Sequence, residues 1–517
     1  MLTSWVVTRP ASAEPSETSR TRYSRQLSKA ILVVLGVLLV DVLIEGWLVT
    51  RLGHRIVDAK NNPAIEPAEW PKTVKSALFV LLLGLTIAKF AADRAWYRLR
   101  TWADVALVGV ALVMVVAGYL GGSSTVLIGQ ALFVYFRGAI VFYAIRAANP
   151  DWRAIRPLVW IAGGLVALNA VLAVSQFLFG NPAYTWLGFV DLQWADENRA
   201  QGLFEHPNDL GHLAGFMVLG LLAWFVTAEK VGRRWWALFG LAALVLAVAQ
   251  SRQSSVATLA GIGIIALLRR GQWRRMLAGS LIVLLFSAAP IALSAETRDN
   301  LAYRLGGLFN SLHMSGKKTS KKDCQGNPRC VGDDGEIRVL FVKQGVKLWA
   351  ASPVIGYGVG QFGGIVAVKN DPDWNKDPRF QEVLNDPEGF YLFDFKSTSV
   401  DVFWLHLLVE VGAVGVIAYL TWMYFVASPL IRAAWQRGRR MGGVRGSPGT
   451  GAVLLWGAAT FVFAMLVATW SPSLEDPWFP ALMFGVLGLG WALLSQEPSA
   501  GAEGDDDTVR AGKAELT

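Results

Sequence analysis

The sequence predicts an all-α protein, a polytopic bundle of about twelve transmembrane helices with one large loop between spans 9 and 10. Three observations carry this reading. Of 517 residues, 53% are hydrophobic and 17% charged, where soluble domains carry roughly 25% charged residues. Mean hydropathy is +0.40, and apolar runs near the ~20 residues needed to cross a bilayer recur along the chain. Basic residues crowd every second connection, as the positive-inside rule requires of a multi-pass protein.

The spans are expected near residues 30–50, 76–93, 102–120, 125–145, 157–179, 209–228, 235–250, 254–268, 276–294, 400–427, 450–470 and 479–495. Those near 235–250 and 254–268 are short, and one re-entrant pair is the alternative. Arg94, Arg98 and Arg100 follow the second span, Arg146, Arg153 and Arg156 the fourth, and Lys230, Arg233 and Arg234 the sixth. Arg269, Arg270, Arg274 and Arg275 follow the eighth, and Arg432, Arg437, Arg439, Arg440 and Arg445 the tenth. Both termini are then expected in the cytoplasm. The net charge of +9 reflects this topology and gives no sign of nucleic-acid binding.

The chain divides accordingly. Residues 1–28 read as a disordered cytoplasmic N-terminus, without the apolar core and cleavage site of a signal peptide. Residues 29–294 hold spans 1–9, with an outer loop at 180–208. Residues 295–399 form a large outer loop domain, 400–495 hold spans 10–12, and 496–517 are an acidic cytoplasmic tail.

The large loop carries the chain's two cysteines, Cys324 and Cys330. In an oxidising compartment their close spacing suits a structural disulfide, and two ligands are too few for a zinc site. Leu301, Leu305, Leu308 and Leu312 share one helical face, flanked by Arg298 and Arg304. An amphipathic helix at the membrane interface and a helix packed on the loop's own core fit equally. The stretch "GYGVG", residues 356–360, lacks the context of a nucleotide loop or an ion filter and reads as a tight glycine turn.

The chemistry concentrates in "ENRAQGLFEHPNDLGHLAG", residues 197–215, where arginine, glutamates, histidines and asparagines gather at the lip of an apolar run. Asp41, Glu45, Lys89, Asp93, Arg137, Arg252, His406 and Glu410 also lie within or beside spans. Charge there costs about 3 kcal/mol or more, so each is a functional candidate. Lys89 and Asp93 are spaced for a plain helical ion pair, and Asp41 and Glu45 read as structural. Arg199 and Arg252 fall at one outer edge, where the planar guanidinium fork suits a diphosphate whose lipid tail stays in the bilayer. His206, Glu205 and Asn208 can position or deprotonate an incoming hydroxyl. The plainer account is that His206 caps the sixth span and the arginines snorkel. His212, a turn further in, reads as a core histidine.

"RAQGLFEHPNDLG" resembles the Arg–Gly–His-Pro-Asn signature of the O-antigen ligase and O-antigen polymerase superfamily. "SRQSSVATLAG" is similar to its Ser-Arg turn between spans, and "IRVLFVKQGVKLWAASPVIGYGVGQF" to the start of its large periplasmic loop. "LLVEVGAVGVIAYL" resembles its Glu-x-Gly-x-x-Gly span. The likeness covers roughly residues 195–425, in the family's order.

The resemblance implies a metal-independent inner-membrane glycosyltransferase, a polysaccharide polymerase or ligase without cofactor. Its partners would be a polyprenyl-diphosphate-linked oligosaccharide donor, a glycan or lipid-glycan acceptor and the bilayer. Carried over, Arg199, Arg252 and Arg338 would hold the diphosphate, with His206 and Asn208 in the His-Pro-Asn motif and Glu410 in the Glu-x-Gly motif. One departure stands out. Family ligases carry a catalytic His-Asn nine residues before that glutamate, and this chain has Asp401 and Val402 there. Asp401 would serve as base if its pKa were raised; otherwise it would cap the tenth span and His206 would be the better base. The substitution favours a polymerase or another branch over a lipid A-core ligase. A lipid-linked glycan flippase is the alternative of another class, though no internal repeat supports it.

Overall fold

The computed structural model describes residues 19–57, 63–293, 337–385, 390, 399–439 and 448–496. It is an all-α bundle, and each of the twelve expected spans contains a helix. In chain order these are α1 (Ser19–Arg51), α2 (Trp70–Asp93), α3 (Trp102–Leu120), α4 (Thr125–Ala148) and α5 (Trp152–Phe179). Two short helices, α6 (Asn181–Leu187) and α7 (Gln193–Asp196), precede α8 (Pro207–Thr227), α9 (Arg233–Val248), α10 (Arg252–Leu268) and α11 (Trp273–Leu293). After the large loop come α15 (Phe403–Arg439), α16 (Pro448–Val467) and α17 (Trp478–Gln496). Among the described residues nine of these helices are long and apolar enough to cross a membrane. At 16 and 17 residues, α9 and α10 are the short ones.

Local chemistry sets several boundaries. Thr101 and Asp104 form a capping box at α3, and Ser124 and Asp151 accept amide hydrogen bonds at the starts of α4 and α5. The left-handed residues Arg94 and Asn149 close α2 and α4, satisfying terminal carbonyls that a helix leaves open. An element absent from the sequence reading is an antiparallel pair after α1, β1 (His54–Val57) and β2 (Pro63–Glu66), with His54 opposite Glu66.

α8 and α16 lie at the centre, α8 packing on α9, α10 and α16. α3 turns Trp102, Val105, Val108, Leu112 and Val116 outward, an apolar face suited to lipid. The connections segregate to two ends. At one, Ser123 donates to the Val359 carbonyl at 2.9 Å, and Ala200 N–H meets the Val248 carbonyl at 3.0 Å. At the other, Arg146 bonds Asp104 at 2.8 Å and the Arg98 carbonyl at 2.6 Å. There Arg275 binds the carbonyls of Phe225 at 2.6 Å and Glu229 at 2.8 Å.

Within the large loop, α12 (Ile337–Ala351), α13 (Ile365–Asn370) and α14 (Pro378–Leu384) surround a second core. Phe341, Leu348, Phe362, Trp374, Phe380 and Phe390 pack there against Leu405 and Val409 of α15. The Leu301–Leu312 helix and the Cys324–Cys330 disulfide lie outside the described residues.

The glycine turn at 356–360 is docked onto α15. Tyr357 and Gly358 donate their amides to the Val409 and Glu410 carbonyls, both at 2.9 Å. The Glu410 carboxylate accepts from Phe362 N–H at 3.1 Å and from Tyr135 at 2.8 Å. Gly412 adopts φ +63, ψ −170, a region essentially restricted to glycine. A Cβ there would sit 2.3 Å from the Val354 carbonyl carbon. The Glu-x-Gly motif is therefore a dock: Glu410 satisfies loop amides and Gly412 admits the loop backbone. Gly412→Ala should destabilise the protein by about 2 kcal/mol or more through strain and overpacking. Thermal unfolding in detergent measures this, and a wild-type midpoint would contradict the docking argument.

Candidate functional site

The stretch 197–209 lies at the loop-domain end, and helix side chains support its irregular backbone. On α5, Gln176 Oε1 accepts the amides of Gln201 at 3.0 Å and Gly202 at 2.7 Å. Two turns earlier on the same face, Asn169 Oδ1 accepts the Leu203 amide at 2.9 Å. Gly202 has φ +62 and its missing Cβ would lie 2.7 Å from Asn169 Oδ1. Asn198 and Gln250 are both left-handed, and Gln250 Nε2 donates to the Asn198 carbonyl at 2.9 Å. Such strain survives only where surrounding bonds enforce it.

These contacts aim Arg199. Its side chain is 7% exposed. Nη2 donates to Asn208 Oδ1 at 3.1 Å, and Nε to the Ala249 carbonyl at 3.4 Å. Glu197 lies 3.6 Å from Nη1, and the guanidinium stands over the Trp194 ring, 5.1 Å from its centroid. Tyr184 donates to the Arg199 carbonyl.

Trp194 also meets His206 edge-on at 4.5 Å between centroids. His206 caps α8: Nδ1 accepts the Asn208 amide at 3.0 Å, followed by Pro207 at the first helical position, where no amide is needed. A ring nitrogen that accepts an N–H cannot carry the proton, so neutral His206 holds its hydrogen on Nε2. Burial, then the charges of Arg199 and Arg338, lower its pKa from 6.5 to about 3. His206 is thus a neutral Nε2–H donor at ordinary pH, a poor proton acceptor.

Arg252 opens α10, exposed, with Ser251 as its cap. A Cβ on Gly211 of α8 would lie 2.6 Å from the Ser251 Cβ, so the starts of α8 and α10 are side by side. Two helix N-termini, each with positive partial charge, thus flank the Arg199 segment. Arg338 bonds Asp401 at 3.0 Å, both side chains partly exposed. Since Arg338 also acts on His206, the loop arginine and Asp401 join the same neighbourhood. Asp401 is not the helix cap allowed for in the sequence: α15 begins at Phe403, which leaves Val402 at the cap position.

Other candidates are placed elsewhere. Glu410 docks the glycine turn. His406 is buried, its Nδ1 2.6 Å from Glu475 and its Nε2 2.6 Å from the Val400 carbonyl. His212 packs between Ser254, at 2.7 Å, and the rings of Trp478 and Phe479. Lys89 pairs with Asp93 at 2.7 Å and Glu45 with Lys75. Glu205 is exposed, yet the protein around it raises its pKa by desolvation, opposed by Lys72 and Lys75. Among the described residues no group of three or more His, Cys, Asp or Glu is arranged to hold a metal.

Residues 237–420 match the O-antigen ligase family. No curated protein matches the chain. The O-antigen ligase match spans α9 to the middle of α15 and contains Arg252, Arg338, Asp401 and Glu410, while Arg199, Glu205 and His206 precede it. It agrees with the superfamily resemblance and supports a multi-pass membrane glycosyltransferase of O-antigen ligase type. Sequence reasoning missed Trp194, Asn169, Gln176, Glu475 and Asp476. Only Asn169 and Gln176 leave a signal: two amides seven residues apart, on one face of an apolar helix.

The depressed His206 pKa has a stability consequence. Between about 3 and 6.5 the unfolded histidine binds a proton that the folded one refuses, so stability is full above that window and falls as pH drops through it. His206→Asn keeps a good cap and should remove up to about one proton from the slope of stability against pH. Unfolding followed from pH 7 to 4 checks this; identical slopes would refute it.

Proposed function

We propose that the protein is a polysaccharide polymerase or ligase that takes a glycan from a polyprenyl diphosphate at the outer face of the inner membrane. An acceptor glycan hydroxyl attacks the anomeric carbon, and the lipid diphosphate leaves. The observation that carries this reading is Arg199: a guanidinium buried beside two helix N-termini, with a neutral histidine N–H next to it. A diphosphate leaving group needs fixed positive charge in a site of low dielectric, which preorganised arginines and N–H groups supply without reorganisation.

The family match adds weight, because a ligase-type enzyme takes its glycan from a lipid carrier. Arg199 and Arg252 bind the diphosphate, Arg338 joins from the large loop, and His206 donates its Nε2–H to a phosphate oxygen. At about 1.5 Å per residue, α9 and α10 are shorter than a ~30 Å hydrocarbon core. Their shared turn is then recessed towards the lipid, where a diphosphate with its tail in the bilayer would meet Arg252. The arginines do the work a divalent metal does in other diphosphate chemistry, so no metal enters the scheme. Asp401 orients Arg338 through their ion pair.

Replacing Arg199 or Arg252 by Lys loses the bidentate fork and should lower transfer about a hundredfold, with monodisperse elution retained. Near-normal activity in both variants would sink the donor site. Asp401→Asn, in the same assay, should keep activity within about tenfold, since general-base loss costs roughly 10²–10⁴. A drop of that larger size would make Asp401 the proton acceptor instead.

A further inference from the structure

With His206 a donor and Asp401 tied to Arg338, the acceptor hydroxyl's proton needs another destination. His206 has extended backbone, φ −133 and ψ 139, and successive side chains of extended chain point to opposite faces. The His206 ring packs on Trp194, beside Arg199, whereas Glu205 has other neighbours. It packs over Gly46 of α1, where an added Cβ would lie 3.1 Å from the Glu205 Cγ and 2.9 Å from its amide nitrogen. That glycine gives the glutamate room.

The surroundings on this second face differ from the arginine side. Glu45 of α1, Lys72 and Lys75 of α2, Asp209 of α8 and Asp476 before α17 all act on the Glu205 carboxyl or feel its charge. Lys75 is already hydrogen-bonded to Glu45. The balance favours a protonatable carboxyl: desolvation and Glu45 raise the Glu205 pKa against the two lysines. Asp476, raised to about 7 chiefly by burial, also feels the Glu205 charge. Displacement at an anomeric carbon brings the nucleophile in opposite the leaving group, so a base belongs on the face away from the diphosphate.

We propose that Glu205 is the catalytic base, accepting the acceptor hydroxyl's proton from the face opposite the diphosphate. The acceptor oxygen forms its bond to the anomeric carbon, and the carbon–oxygen bond to the diphosphate breaks. The bonding pair leaves on the diphosphate, and the proton ends on a Glu205 oxygen. The assignment rests on the donor reading above.

The test uses the full-length protein in nanodiscs, with lipid-linked glycan extracted from cells lacking the gene as donor and surface polysaccharide from those cells as acceptor. Glu205→Gln should lower kcat about a hundredfold or more with donor binding unchanged. The wild-type rate should rise with pH as Glu205 loses its proton, and this rise should vanish in Glu205→Gln. A kcat within tenfold of wild type, or a loss of donor binding equal to the loss of rate, would overturn the proposal. If Glu205→Gln does not fold, Glu205→Asp decides, with at least a tenfold lower kcat and the pH rise retained; an unchanged kcat overturns it. Wild-type protein that leaves the donor intact removes the donor reading, and this one with it, before any variant is made.

Discussion

Irregular backbone can sit at membrane depth only where each amide and carbonyl finds a partner inside the protein. Most of the arrangement at the loop-domain end follows from that constraint. Gln176 and Asn169 of α5 take the amides of 201–203. Glu410 of α15 takes that of Phe362, and Glu475 takes that of Ile365 at 2.7 Å. A buried amide left without its acceptor would cost about 1–3 kcal/mol. The side-chain acceptors that prevent this cost also set where Arg199, His206 and the glycine turn lie.

The same supports explain why two buried carboxylates, one of them in a family-like motif, are scaffolding. Glu410 holds the large loop against α15, and Glu475 ties His406 to the loop through Ile365. Ionisable groups near a membrane invite a functional reading. Here hydrogen-bond partners separate those that build the site from those that face into it. In the proposed scheme Arg199, His206 and Glu205 belong to the second group, although Arg199 also bonds locally.

His206 illustrates how local structure redirects chemistry. As a residue type it offers a base near neutral pH. As the cap of α8 it spends Nδ1 on the Asn208 amide, and burial with two nearby arginines keeps it neutral. The cap and the chemistry, which looked like competing accounts in the sequence, are one fact: capping fixes the tautomer and so the hydrogen that the ring presents.

Hydropathy and the spacing of basic residues were enough to read the helical bundle, because a bilayer makes apolar length a direct record of topology. Motif order was enough to suggest the family, and the bunching of polar residues at 197–209 marked the neighbourhood of the candidate site. The hairpin after α1 escaped, since its four-residue strands carry too little periodicity to register. Side-chain partners were beyond the sequence altogether. That Asp401 meets Arg338 across 63 residues of chain, that Asn169 and Gln176 carry the 201–203 backbone, and that Glu205 lies over Gly46 of α1 all depend on which helices pack together. Spacing along a chain reports which face of its own helix a residue occupies; only packing decides what that face meets.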